Sequence, residues 1–210
     1  MKIDIYNHVM PVKFLEQMKE LGADPNLLKR MSSIRMLWDI EARVEMLKSK
    51  FPEVQQVLTL GLPAPELIGD ATQSPAFARV ANDGMAELVA KHPDRFPGFV
   101  ASLPMNDPAG AVKEAKRAID KLGAVGVQVF TNINGARLYT KETRPLFDLM
   151  AKYDRPIWMH PTRTAEFADY VGEKKSHFEI WWTFGWPYET STTMAHMVFE
   201  GLFDRHPEIK

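Results

Sequence analysis

Along the chain, short runs that are apolar on both faces alternate with longer stretches in which apolar positions recur every three or four residues. The short runs predict strands at Lys2–Tyr6, Val54–Leu60, Gly98–Leu103, Val125–Phe130 and Pro156–His160. The longer ones predict helices at Asp39–Lys50, Pro75–Lys91, Asp107–Leu122, Lys141–Tyr153 and Glu189–Arg205. Asp107 before Pro108 has the form of a helix start, with a side-chain acceptor at the cap and proline where no N–H is needed. Strands buried on both faces suit a parallel sheet covered by helices. Repeated βα units leave two architectures, the doubly wound sheet and the closed barrel. No G-x-G-x-x-G follows any strand, which weakens the nucleotide-binding sheet.

Two helix exits share one form. Lys91-His92-Pro93-Asp94-Arg95-Phe96 leads straight into the strand at Gly98, and Arg205-His206-Pro207-Glu208-Ile209-Lys210 repeats the pattern. By analogy a strand is predicted directly after Lys210. Five strands are legible, whereas a complete (β/α)8 barrel takes about 250 residues. The expectation is therefore a single barrel domain over residues 1–210, an N-terminal portion of about five βα units, with the C-terminal units missing from this chain. The Met-rich segment 22–38 fits no strand or helix and is read as a loop excursion over the barrel mouth.

Charge and composition narrow the function. Lys and Arg number 26 against 27 Asp and Glu, a net charge of −1, and no basic run marks a nucleic-acid or membrane-surface footprint. Absence of cysteine excludes disulfides, thiolate metal sites and cysteine nucleophiles. The N-terminus turns polar too soon for a signal peptide, and no apolar stretch has the length of a bilayer span. A cytoplasmic globular protein is expected.

Two histidines stand out by position. His8 lies two residues past Tyr6, and His160 ends the fifth predicted strand. Catalytic groups of βα barrels gather at the C-terminal strand ends, and neutral imidazole there is a natural ligand for a divalent metal. Taken alone, each histidine is more often an ordinary hydrogen-bonded structural residue than a ligand. His92 and His206 sit in helix-terminal turns, where a cation suits the helix dipole. His177 lies in a polar stretch before Trp181, and His196 lies mid-helix among Met194, Met197 and Val198.

The segment Ile3-Asp4-Ile5-Tyr6-Asn7-His8-Val9-Met10-Pro11 resembles the I-D-x-H-x-H-x-x-P opening of the amidohydrolase-2 family of the amidohydrolase superfamily. The similarity continues through Trp38-Asp39, Asn82-Asp83, His92-Pro93-Asp94-Arg95-Phe96 and Gly98-Phe99. It runs on through Leu103-Pro104, Gly126-Val127-Gln128, Pro156-Ile157-Trp158-Met159-His160-Pro161, the stretch from Trp182 to Thr190, and Gly201-Leu202-Phe203-Asp204. Within that family the chain looks like the branch of aminocarboxymuconate-semialdehyde and γ-resorcylate decarboxylases.

The resemblance implies a (β/α)8 barrel of the TIM type holding one divalent metal, zinc or manganese. It implies His8 and His160 as metal ligands, Trp182 as a substrate-side residue, and Arg35 near the arginine that takes the substrate carboxylate. The family's first metal histidine is replaced by Tyr6, at a position where some relatives carry glutamate. Three readings follow: the metal is held by His8, His160 and a later aspartate; Tyr6 is a phenolate ligand, despite a reference pKa of about 10; or metal binding is impaired. The family's remaining catalytic histidine and aspartate would lie beyond Lys210, so the chain as given is not expected to catalyse. The implied activity is non-oxidative decarboxylation of a small unsaturated or aromatic carboxylic acid, its carboxylate buried among Trp158, Trp182 and Phe184; the cluster Trp181, Trp182, Phe184 and Trp186 suits a planar substrate and equally the ordinary packing of a loop onto the barrel. Hydrolysis of a lactone, ester or amide by a metal-bound water is the alternative, and a degenerate ligand-binding barrel is the third reading. Relatives in the family imply a homodimer.

Overall fold

The computed structural model describes residues 1–21, 23 and 25–210. In chain order the elements begin β1 (Lys2–Val9), α1 (Val12–Glu20), α2 (Pro25–Ser33), α3 (Arg35–Trp38), α4 (Ile40–Lys50) and β2 (Val54–Leu60). They continue with α5 (Pro65–Ile68), α6 (Ser74–Lys91), β3 (Gly98–Ser102), α7 (Pro108–Leu122) and β4 (Gly126–Phe130). The last are β5 (Asn132–Ile133), β6 (Ala136–Arg137), α8 (Arg144–Tyr153), β7 (Ile157–His160), α9 (Ile180–Thr183), α10 (Gly185–Phe199) and α11 (Leu202–Arg205). The longer strands form one sheet in the order β1-β2-β3-β4-β7, and β1–β2 and β2–β3 pair in parallel. The chain divides into two compact units, Met1–Val127 and Gln128–Lys210.

In the first unit the helices cover the strands with a face set by the 3.6-residue period. Phe77, Ala78, Ala81 and Met85 line one side of α6 and are fully buried, with Phe14 of α1 edge-on to Phe77 at 6.2 Å. Each such phenylalanine contributes about 2–3 kcal/mol through the apolar area removed from water. Asn82 on the same helix is buried and acts as a polar crosslink. Its Nδ2 donates to the Ser102 carbonyl at 2.9 Å and to Glu114 Oε1 at 2.8 Å, and its Oδ1 accepts from the Ser102 N–H at 2.8 Å. Asp107 caps α7 as predicted, accepting from the Gly110 N–H at 3.1 Å.

Three expectations change here. Of segment 22–38, Gly22 and Asp24 lie outside the described residues; the remainder is largely helical, forming α2 and α3, with Pro25 at the first helical position where its missing N–H costs nothing. The first strand continues three residues beyond Tyr6, so His8 lies within β1 rather than beyond it. The helix predicted over Glu189–Arg205 begins earlier, at Gly185, and breaks at Gly201, whose φ of +71° suits a residue without Cβ.

The second unit adds a hairpin that the strand pattern alone did not show. Asn134 and Gly135, at φ +50° and +85°, turn β5 into β6, the form favoured by an Asn-Gly pair. At the edge of β7 the Ile157 N–H donates to the Lys210 carbonyl at 2.8 Å.

Candidate functional site

The end of β1 is built around a bulge. Asp4 pairs with Gln56 and Asn7 with Leu58, so one extra residue is accommodated between them. A bulge leaves ladder groups to be satisfied by other means, and two side chains do so here. The Asp4 carboxylate accepts from the Tyr6 N–H at 3.1 Å, and the Asn7 amide donates to the carbonyls of Asp4 at 3.1 Å and Val57 at 2.9 Å.

Directly after this bulge stands His8. Its Nδ1 lies 3.0 Å from Thr59 Oγ1, and the Thr59 hydroxyl donates its own proton to the Asn7 carbonyl. A hydroxyl whose proton is committed offers Nδ1 only a lone pair, so His8 carries its proton on Nδ1 and Nε2 is the basic nitrogen. Tyr6 lies edge-on to His8 with ring centroids 6.1 Å apart and is about half exposed. Burial of its phenol pushes the pKa above the ordinary value of 10, so the side chain is a neutral hydroxyl rather than a phenolate.

His160 ends β7 and is buried. Its Nδ1 lies 2.5 Å from the Pro161 carbonyl, which can only accept, so this ring too is protonated on Nδ1. Burial lowers its pKa and the bond to Pro161 partly opposes that, leaving a neutral imidazole near pH 7. The ring is flanked by Phe130 at 5.4 Å and Trp186 at 5.7 Å. The backbone beneath it is tied down, since the His160 carbonyl accepts from the Thr131 N–H at 3.0 Å and Thr131 Oγ1 accepts from the Thr162 N–H at 3.0 Å.

Trp182 joins His160 indirectly. It packs edge-on to Trp186 at 6.0 Å, and its indole N–H donates to Glu179 at 2.6 Å. Trp186 is the aromatic in contact with the histidine, held in place by donating to the Arg163 carbonyl at 2.9 Å. Phe184, expected in the same cluster, is 74% exposed. Arg35 begins α3 on the surface, with its Nε 2.8 Å from Asp39 Oδ2. Asp39 also caps α4 through the Ala42 N–H at 3.0 Å. The structure thus brings Tyr6 beside His8 in the first unit, and links Trp182 through Trp186 to His160 in the second. Among the described residues no group of three or more His, Asp or Glu side chains is assembled to hold a metal ion. The chemistry of the two donors nevertheless fits one, because each histidine meets an acceptor at Nδ1, which makes Nε2 the ligating nitrogen of the neutral ring.

Residues 3–210 match the sequence profile of a family described as Amidohydrolase. The γ-resorcylate decarboxylase of Polaromonas sp. (strain JS666 / ATCC BAA-500) is 35% identical over 191 residues, covering 83% of this chain and 55% of that protein. The crystal structure of 2,6-dihydroxybenzoate decarboxylase complexed with 2,6-dihydroxybenzoate superposes with a TM-score of 0.80 at 28% identity, over 100% of this chain and 65% of that one. A dihydroxybenzoic acid decarboxylase from Polaromonas sp. JS666, solved with bound manganese and the inhibitor 2-nitroresorcinol, gives 0.78 at 29% identity over 100% and 63%. The chain thus spans less than two thirds of the length of these relatives, and over that length its fold is that of their α/β barrels.

Proposed function

The chain belongs to the amidohydrolase family, and on that premise we propose that it forms part of a single-domain barrel enzyme, a metal-dependent non-oxidative decarboxylase of a small aromatic or unsaturated carboxylic acid. The observation that carries the metal is the shared state of the two strand-end histidines, each held through Nδ1 by an acceptor so that Nε2 is the ligand nitrogen. His8 and His160 would hold the ion. When bound, zinc or manganese supplies a Lewis acid and a template for the substrate carboxylate and its neighbouring oxygen; manganese is the ion in one of the similar structures. Choice of decarboxylation over hydrolysis is supported by the relatives, which are named for that reaction on 2,6-dihydroxybenzoate and γ-resorcylate.

Trp182, with Trp186 beneath it, offers an aromatic face to a planar ring. Tyr6 offers a neutral hydroxyl beside His8. Arg35 takes the substrate carboxylate through its planar fork, with Asp39 as its partner before substrate arrives. The near-zero net charge supports a small-molecule substrate rather than a nucleic acid, and no described helix is long and apolar enough to cross a membrane. The family resemblance supports a homodimer, in the cytoplasm.

Metal content of the intact barrel protein, of which this chain is a part, tests the reading, with His160→Ala measured beside it. Near-stoichiometric zinc or manganese, lost in the variant, is expected, together with release of carbon dioxide from 2,6-dihydroxybenzoate or a related acid. Little metal in both proteins after reconstitution overturns the metal assignment, and addition of water to an ester or lactone without carbon dioxide release overturns the decarboxylase.

A further inference from the structure

We propose that Arg43 and Thr59 are positioning residues for His8, fixing its ring as the Nδ1–H tautomer and setting the direction in which Nε2 points. For its consequence on metal binding this rests on His8 being a ligand; for the state of the ring it does not.

A strand end whose ladder is interrupted does not by itself hold an imidazole to the fraction of an ångström that a metal ligand needs. Arg43 reaches this end from α4, 35 positions away in sequence, and is buried. Its Nη1 donates to the His8 carbonyl at 2.5 Å and to the Met36 carbonyl at 3.1 Å. Its Nη2 donates to Asn7 Oδ1 at 2.5 Å, and its Nε to Gln56 Oε1 at 2.8 Å. Gln56 in turn donates to Asp4 at 3.0 Å. One guanidinium therefore grips both residues that follow the bulge and, through Gln56, the residue that precedes it.

Keeping that cation buried is costly. A buried ion network often adds little stability over well-packed apolar residues, so its placement on residues 7 and 8 points to a demand for geometry.

Thr59 completes the frame from β2. By donating to the Asn7 carbonyl it presents a lone pair to His8 Nδ1. Gly61 lies beside the ring, where an added Cβ would stand 3.3 Å from His8 Cβ and 3.4 Å from Cγ and would press on the side chain by a few tenths of an ångström. A partner that accepts from the far nitrogen sets the tautomer of a ligating histidine, and its loss costs about 10–100-fold in metal affinity.

The test uses metal-free protein labelled with 15N-histidine, at a pH where the ring is neutral, with the tautomer read from long-range 1H–15N correlations. Wild type is expected to show His8 as the Nδ1–H form. Thr59→Val is expected to give a mixture or the Nε2–H form, Thr59→Ser to restore the original, and Arg43→Lys to give a mixture in a chain that still folds. Zinc or manganese affinity is expected to fall about 10–100-fold in Thr59→Val and Arg43→Lys and to recover in Thr59→Ser. A wild-type tautomer in folded Thr59→Val or folded Arg43→Lys overturns the proposal. Should Arg43→Lys fail to fold, the Thr59→Val and Thr59→Ser pair decides. Tautomer changes as expected in a protein that takes up no metal uphold the positioning role and overturn the metal assignment instead.

Discussion

Glu66 offers the sharpest quantitative test of the first unit. It sits on α5 with 3% of its surface exposed, and backbone N–H groups of Glu66 and Met105 are directed at its carboxyl. Those bonds favour the charged form, but burial outweighs them and pushes the pKa from 4.5 up to about 7. At about 1.4 kcal/mol per pH unit, that gap is worth about 3 kcal/mol. In the folded chain Glu66 keeps its proton to near neutrality, whereas in the unfolded chain it loses it near pH 4.5. Between those values the unfolded state binds fewer protons, so the contribution to stability is full below the unfolded pKa and is lost as pH rises through the folded one. Glu66→Gln keeps the size and removes the ionisation. Urea unfolding of both proteins in steps from about pH 4.5 to about pH 8 should show the variant gaining about 3 kcal/mol on wild type across the window, with unchanged m-values. Two stability curves that stay parallel within about 0.5 kcal/mol would refute the reasoning, because Glu66 would then ionise in the fold as it does in water.

Two further substitutions test the packing around α6. Asn82→Ala leaves the Ser102 N–H and C=O unsatisfied in a buried position, and at about 1–3 kcal/mol for each orphaned group urea unfolding should show a loss of about 2–5 kcal/mol; a loss below about 1 kcal/mol would mean that water or a shifted backbone replaces the bonds. Gly84→Ala adds a Cβ only 2.6 Å from Pro11 Cβ and 3.0 Å from its Cγ. The helix gains about 1 kcal/mol of propensity, but the clash should cost about 1–3 kcal/mol, so thermal melting of the variant at or below wild type is expected and a clear rise in Tm would show that α1 yields without cost.

How much of this was legible follows from where each determinant lies. Val54–Leu60 was read to the residue because seven strand-forming positions stand between Phe51-Pro52 and Gly61-Leu62-Pro63. The helix Val12–Glu20 carries a local signal as well, since Phe14, Leu15 and Met18, its buried face, keep helical spacing, and the Asn134-Gly135 turn is an equally local one. The last part of β1 was not local. Asn7 and His8 read as loop because they are polar, yet the Asn7 amide is consumed inside the bulge and His8 bonds across to β2, 51 residues away. His8 and His160 could be singled out from their places at strand ends. Arg43 could not, because nothing in the local pattern of α4 distinguishes an arginine facing solvent from one turned inward onto β1.

The histidines show why the surroundings separate roles that position alone left open. His206 has Asp148 2.7 Å from Nε2 and Glu208 3.6 Å from Nδ1, so both nitrogens face carboxylates. His92 ends α6 with its backbone N–H donating to the Leu88 carbonyl, and Glu41 stands 3.9 Å from its ring. At His8 and His160 the acceptor at Nδ1 is neutral, a hydroxyl oxygen in one and a peptide carbonyl in the other. A neutral acceptor at Nδ1 takes the ring's one proton without adding a charge that would favour a second, which makes Nε2 the basic nitrogen of the neutral ring. That is the form in which imidazole binds a divalent ion. The two histidines at strand ends are therefore set apart from the two at helix ends by the charge of what their fold places against them, and the same protonation has been reached by two unrelated local routes.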